Sequence, residues 1–539
     1  MEKPDNQSEV YIKQLEECQR LYKEQGLSEE TVNLLKKYAD EGNPLAKIFL
    51  GGYYKANGEA EEANKLYKES LEELEALARK GHPVIQYLLG CCYYDGRVTE
   101  KDYEKAVEWF QKSADQGYAQ AQFNLGKYYE LGYVDLQNED KGFIPSNQHD
   151  LCILQDKDKA LKVVNLRDLC ANRDEGKALK LITQAVGQGL KEAQHYLASC
   201  YELGTLGLRE DPDKAAELYY QAGDSEKLFL LGNRFEMVND YDRAVSYYTM
   251  AAKLGEPLGQ FYLGECYSEG KGVDIDFNVA IEWYTNAAEQ GFDKAQWKLG
   301  ECYSEGKGVN IDSTKAAEWF VKAAENSAYY QWQLGELYSE GKGVVKSLQL
   351  AETWFIKAAE ESAYYQWQLG ELYSEGRGVI KDLQKAEEWY VKAAEKDDEK
   401  QWQLGEFYLR GENVAKDPKK AVIWFTKATE HDNAKAQYSL GCCYKNGEGV
   451  KKNYKRAVEW YTKAAEQGND QAQILLGDCY DSGHGVKKNY EKAFDYYEKA
   501  AKQGNKQAMK KLANCYHYGW GVEKDTDLAE YWKKKAEEK

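Results

Sequence analysis

Six histidines, His82, His149, His195, His431, His484 and His517, are the first candidates for metal or acid-base chemistry. They are scattered through 539 residues with no H-E-x-x-H among them. No cysteines pair at a metal-ligand spacing either. The recurrent S-E-G-K, as at Ser304 to Lys307, has the S-x-x-K form of an acylating serine site, but it falls across a helix end and lacks the other motifs of that class. The E-G-K-G-V turns lack the G-x-x-x-x-G-K-[ST] spacing that cradles phosphate. Carboxylate pairs are too common among 91 acidic residues to single out an acid and a base. These patterns predict no enzyme, no cofactor and no metal.

One series stands above that background. An aromatic residue recurs two positions before a Leu-Gly-like pair, at Tyr87, Phe123, Phe229, Phe261, Trp297, Trp332, Trp367, Trp402 and Tyr438. At about 100° per helical residue this position lies about 160° from the Leu, which predicts a side chain turned away from the core. Acids accompany it: Glu265, Glu301, Glu336, Glu371 and Glu406 follow the Gly, and Glu269, Glu305, Glu340 and Glu375 close the same segment after a Ser. Rings and carboxylates in one row suit Lys and Arg side chains, through cation-π and charge-assisted contacts. A Glu in the last helical turn opposes the helix dipole by roughly 0.3 to 1 kcal/mol, so stability alone does not explain the row. Two readings of the rings stay open: they face a ligand, or they pack against the helix of an adjoining repeat.

The elements that carry this series are repeats. Leu-Gly-like pairs occur thirteen times between Leu50 and Leu512, and from Leu263 onward they are 35 or 36 residues apart. The stretch SAYYQWQLGELYSEG occurs twice without change, at Ser327 to Gly341 and Ser362 to Gly376. Within a unit, Ala295, Leu299 and Tyr303 mark one face of a first helix, and Gly300 lets another helix approach. Gly306 closes that helix and Asp312 caps a second one, whose Ala316, Trp319, Phe320, Ala323 and Ala324 form an apolar stripe. Asp211-Pro212, Ser347, Asp417-Pro418, Asn453 and Asn489 repeat the cap elsewhere. A lone pair of this kind cannot bury its stripe, so stacked neighbours must supply the core.

The pattern A-x-x-x-L-G-x-x-Y-x-x-G-x-G-V followed by K-A-x-x-W-Y-x-K-A-A-x-x-G resembles the Sel-one-like repeat family, a relative of the tetratricopeptide repeat. The resemblance runs from Gln260 to Gly521, from His82 to Gly126 and from Gly176 to Gly189. It implies an all-α, right-handed α/α superhelical solenoid of about 13 helix-turn-helix repeats. The units at Leu50 and Leu231 lack G-x-G-V and place Ala63 and Ala244 twelve residues after the Gly, a shorter turn similar to the tetratricopeptide form. The resemblance also implies that Phe261, Trp297, Trp332, Trp367 and Trp402, with their acids, line a concave groove.

The resulting organisation is an N-terminal helical cap over 1–43, repeats over 44–132, an insertion of loop plus helix over 133–175, divergent repeats over 176–257, regular repeats over 258–521 and a capping helix over 522–539. The insertion reads as a degenerate repeat or as a partner-contact element. Seven cysteines, Cys92, Cys200, Cys266, Cys302, Cys443, Cys479 and Cys515, occupy one register two residues after the Gly or Ala, so they are expected as small half-buried thiols and not as disulfides. A formal charge of −19 disfavours nucleic acid. The first residues carry no apolar leader and no run is long enough to insert into a membrane, so a cytoplasmic location is expected, with non-classical secretion as an effector the alternative. The expected function is a non-enzymatic scaffold or adaptor that binds a protein or peptide with a Lys/Arg-rich segment. The alternative is a regulatory subunit acting on a partner enzyme through the convex face or the 133–175 insertion. Oligomeric state is not encoded in any of these patterns.

Overall fold

The computed structural model describes residues 6–26, 28–96, 101–131, 174–360 and 362–537. Among them are 28 helices and no strand. The chain forms two compact units, Met1–Asp276 and Phe277–Lys539, and each is a stack of helix pairs. The expected loop and extra helix between 133 and 173 lie outside the described residues.

The pair Asp293–Glu305 and Ser313–Ala323 shows why the sequence folds this way. Ala295 and Leu299 are buried on the inner face of the first helix, and Ala316, Phe320 and Ala323 on that of the second. A Cβ at Gly300 would stand 2.5 Å from the Phe320 ring, so only glycine lets the two helices meet. Gly306, at φ 75°, closes the first helix by donating its N–H to the Cys302 carbonyl at 2.9 Å. The chain then returns through Gly308 and Val309 to Asp312, whose carboxylate accepts from the N–H groups of Thr314 and Lys315, both at 3.0 Å. Such a cap is worth about 1 kcal/mol. The other caps predicted by sequence are formed alike at Asp211, Ser347, Asp417, Asn453 and Asn489.

The two units with shorter spacing turn in three residues, Asn57 to Glu59 and Val238 to Asp240, as the tetratricopeptide-like reading requires. In the longer turns, the second glycine brings successive loops together. A Cβ at Gly485 would lie 2.4 Å from the Tyr454 carbonyl oxygen, and one at Gly521 would lie 2.1 Å from that of Tyr490. The loops of neighbouring repeats therefore form a continuous edge.

Two buried rows join the repeats. The cysteines of the common register, Cys92, Cys200, Cys266, Cys302, Cys443, Cys479 and Cys515, are all buried free thiols. Burial pushes Cys302 and Cys479 up to about 11 and Cys266 and Cys443 up to about 12, so none is a ready nucleophile. A second row was not foreseen. Ten glutamines three residues before the Leu, from Gln86 to Gln473, are buried. Seven of their amides reach back to the end of the preceding helix, as from Gln296 to the Ala288 carbonyl at 3.1 Å and from Gln473 to that of Ala465 at 3.2 Å. Four of their carbonyls, those of Gln86, Gln122, Gln437 and Gln473, accept from the glutamine that follows the next helix, as from Gln503 to Gln473 at 2.9 Å.

Candidate binding surface

The tryptophan series does not form an open row of rings. Trp332 and Trp367 are only 8% and 4% exposed, Phe261 is buried, and Trp297 and Trp402 are half-buried. Trp297 lies 4.6 Å from the Phe320 ring of its own repeat and stacks at 5.0 Å on Tyr330 of the next. Trp332 repeats this with Phe355 and Tyr365, and Trp367 with Tyr390 and Phe407. The expectation that these rings turn away from the core is corrected. A first helix inside a stack is flanked by helices of its own and the adjoining repeat, so its buried arc extends beyond the stripe centred on the Leu.

The acids after the Gly serve this packing as well. The indole Nε1–H donates to Glu301 from Trp297 and to Glu336 from Trp332, both at 3.2 Å, and to Glu371 from Trp367 at 3.0 Å. Trp402 instead donates to Ser439 Oγ at 3.2 Å, which donates to Glu406 at 2.8 Å. The last-turn acids are matched by a cation two residues on: Glu269 by Lys271 at 2.8 Å, Glu305 by Lys307 at 2.6 Å, Glu340 by Lys342 at 2.5 Å, and Glu375 by Arg377. Glu406 pairs with Arg410 at 2.9 Å and Glu301 with Lys298 at 3.3 Å. The row is thus less anionic than its composition implies. Phe261, Glu265 and Glu269 belong to the first unit, and the remaining predicted residues to the second.

Sequence reasoning missed the aromatics that do reach solvent. Tyr329 and Tyr364, in the two copies of the duplicated stretch, are 58% and 63% exposed. Tyr329, Gln333, Glu336 and Glu340 fall at i, i+4, i+7 and i+11, one outward stripe of the helix Ala328–Glu340. Tyr364, Gln368, Glu371 and Glu375 repeat it on the helix Ala363–Glu375. The signal was the polar periodicity of the duplicate, which the heavier tryptophan pattern obscured.

Catalytic groupings are sparse. His195 Nδ1 lies 2.6 Å from Asp224 Oδ2, but Asp224 also caps the next helix by accepting from the Lys227 N–H at 3.0 Å. Among the described residues, no three His, Cys, Asp or Glu side chains stand together as a metal site would need, and no helix is long and apolar enough to cross a membrane.

Comparison with known proteins accords with this architecture. The chitin synthase regulator SKT5 of Saccharomyces cerevisiae is 29% identical over 263 residues, which is 46% of this chain and 37% of that protein. The ERAD-associated E3 ubiquitin-protein ligase component HRD3B of Arabidopsis thaliana is 27% identical over 242 residues, 42% of this chain and 40% of that one. The chain therefore spans less than half the length of these curated relatives. Among solved structures, c5321, a protective antigen of uropathogenic Escherichia coli displaying an SLR fold, is 31% identical with 86% of each chain covered and a TM-score of 0.33. The Sel1 repeat model matches twelve times, over 84–118, 119–144, 191–226, 228–256, 257–292, 293–327, 328–362, 363–398, 401–433, 434–469, 470–505 and 506–539. With matches over well more than half of its length, the chain belongs to the Sel1 repeat family.

Proposed function

We propose that the chain is a non-catalytic interaction scaffold whose first-helix face, over residues 328–375, receives a Lys/Arg-rich segment of a partner protein. One observation carries this reading: two adjacent repeats present the same outward series of Tyr, Gln, Glu and Glu, though packing demands identity only on the buried side. Tyr329 and Tyr364 supply exposed ring faces, and Glu336 and Glu371 supply carboxylates whose one side-chain partner among the described residues is an indole N–H. Cation-π contact at exposed rings contributes about 0.5 to 1 kcal/mol each. Two rings and two carboxylates together support a salt-sensitive complex.

The test is binding of a labelled oligolysine peptide, read by fluorescence anisotropy, to the wild type and to a variant with Tyr329→Ala, Tyr364→Ala, Glu336→Gln and Glu371→Gln. The Gln replacements keep a carbonyl for the indole, so the helices stay packed. Binding should weaken about tenfold or more, in line with losing the contacts above. Unchanged affinity sinks the assignment of this face. A second reading, a regulatory subunit of an enzyme complex, is supported by the names of the two relatives, a regulator and a ligase component. Co-purification of an enzyme whose turnover changes when the chain is removed would favour it.

A further inference from the structure

The geometry points to a second interaction surface, a cationic rail along the loop edge of residues 344–524 that takes an acidic, extended segment of a partner protein. This goes beyond the scaffold reading above, because it uses another edge of the repeats and the opposite charge.

Six consecutive loops carry a lysine two residues after the loop Val: Lys346, Lys381, Lys416, Lys452, Lys488 and Lys524. Their stems cover the glycine that closes the first helix. A Cβ at Gly341 would lie 2.9 Å from Lys346 Cβ, and one at Gly376 would lie 3.0 Å from that of Lys381. All six are exposed, and among the described residues none makes an ion pair. This is unusual in a chain of charge −19, where the cations nearer the helix ends are taken by Glu305, Glu340 and Glu375. Around one loop, between 445 and 456, Lys445, Lys451, Lys452, Lys455 and Arg456 stand against the lone acid Glu448.

Rings hold two of the ammonium groups in line. Lys452 Nζ lies 4.9 Å over Tyr454, which stacks on His484 of the next loop at 4.7 Å. Lys488 Nζ lies 4.5 Å over Tyr490, which stacks on Trp520 at 6.1 Å. Beside the first two lysines, Val345 and Ile380 are 79% and 75% exposed and offer apolar contact between charges. Successive loops are about 10 Å apart, the spacing of packed helices, and an extended chain covers that in about three residues of 3.3 Å. A segment with an acid at every third position therefore matches the rail in register. A nucleic acid fits less well, because Glu412, Glu448, Asp481 and Glu523 interrupt the same loops and repel an unbroken run of phosphates.

The test uses the full chain and a fluorescein-labelled oligoglutamate of about twenty residues, long enough to span the six loops. One variant carries Lys381→Gln, Lys416→Gln, Lys452→Gln and Lys488→Gln, and a control removes the same charge at Lys253, Lys510, Lys533 and Lys534. Circular dichroism confirms that both remain helical. The rail variant should weaken binding about tenfold, and the control less than about twofold, with wild-type affinity falling as salt rises. Equal loss in both variants, or no binding by the wild type at low salt, overturns the rail. Tighter binding of an oligodeoxythymidylate of equal length, or of phosphatidylserine vesicles, overturns the choice of an acidic protein segment. None of these outcomes depends on the oligolysine result, so the two surfaces stand or fall separately.

Discussion

The duplicated repeats of residues 328–410 and the repeats of residues 434–521 share one fold but are joined to their neighbours by different means. In the later repeats a Gly such as Gly468, at φ 88°, and a capping Asn such as Asn469 make the turn between repeats. Behind that turn Ala436, Ala472 and Ala508 pack closely, the pairs Gln467 with Gln437 and Gln503 with Gln473 join the two helices of one repeat, and the Gln473 amide, donating to the Ala465 carbonyl, ties that repeat to the one before. In the duplicated repeats the turn is one residue shorter: Gln331 reaches back seven residues to Ala324, whereas Gln473 reaches back eight to Ala465. That missing residue is why the period falls from 36 to 35, and it removes the turn glutamine. Tyr330 and Tyr365 stand where the later repeats have Ala, and their rings stack on the tryptophan of the preceding repeat. Among the described residues, the carbonyl oxygens of Gln366 and Gln401 are left buried without a partner. One repeat pattern thus accommodates two couplings, one polar and paired, the other aromatic with an unmatched acceptor.

The largest test of that difference is Trp367→Ala. The ring touches Tyr390 at 4.6 Å and Phe407 at 5.3 Å, and Lys400 Nζ lies 4.5 Å over it. Removing it should cost about 3 to 5 kcal/mol. Lys510 occupies the same register two residues before Leu512 and is exposed, so Lys510→Ala should cost less than about 0.5 kcal/mol. Urea unfolding, followed by hydrogen exchange to locate the loss, separates the two. A cost below about 1 kcal/mol at Trp367 would show that the rings do not join the repeats.

A smaller effect tests the polar coupling. Gln473→Leu removes the carbonyl that Gln503 donates to and the amide that caps the Ala465 carbonyl. It should cost about 1 to 3 kcal/mol, the penalty for stranding buried polar partners. Gln401→Leu sits in the equivalent place, yet it deletes an acceptor that has no donor, so its cost should lie within about 1 kcal/mol of zero. Equal costs at the two sites would mean that the unmatched oxygen of Gln401 is satisfied in solution, and the contrast between the regions would narrow.

These couplings also mark where sequence was informative. Helix pairs, turns and caps were legible because Gly306, Asp312 and their copies act through local backbone geometry, which each residue type declares by itself. The inner face was legible from Ala295 and Leu299 for the same reason. The orientation of Trp332 was not, because it depends on Tyr365, thirty-three residues away, and on which flank the adjoining helix covers. Helical spacing describes one helix in isolation, while this chain buries two flanks as well as a face. The glutamine row was visible as a polar residue at a fixed register, and its recurrence in ten repeats was the signal that it is buried.

The smallest effect concerns pH and sharpens the comparison without touching a ring. The later repeats place Cys443, Cys479 and Cys515 where the duplicated ones have Leu337, Leu372 and Phe407, the last of which stacks on Trp367. Burial raises those thiols from 9.0 to about 12, 11 and 11. A folded-state value above the unfolded one means that the folded chain holds the proton longer. The stability this represents is complete below pH 9 and is lost as pH rises through the folded values. The urea midpoint of the wild type should therefore decline above pH 9. Replacing the three cysteines by Ala lowers stability at pH 8 but should make that decline shallower, since only the other buried cysteines, such as Cys266 and Cys302, and the tyrosines, whose ordinary value is near 10, then contribute. If the slopes match between pH 9 and 10, the thiols of the later repeats are not shielded from water, and the close packing attributed to Ala436, Ala472 and Ala508 fails with them.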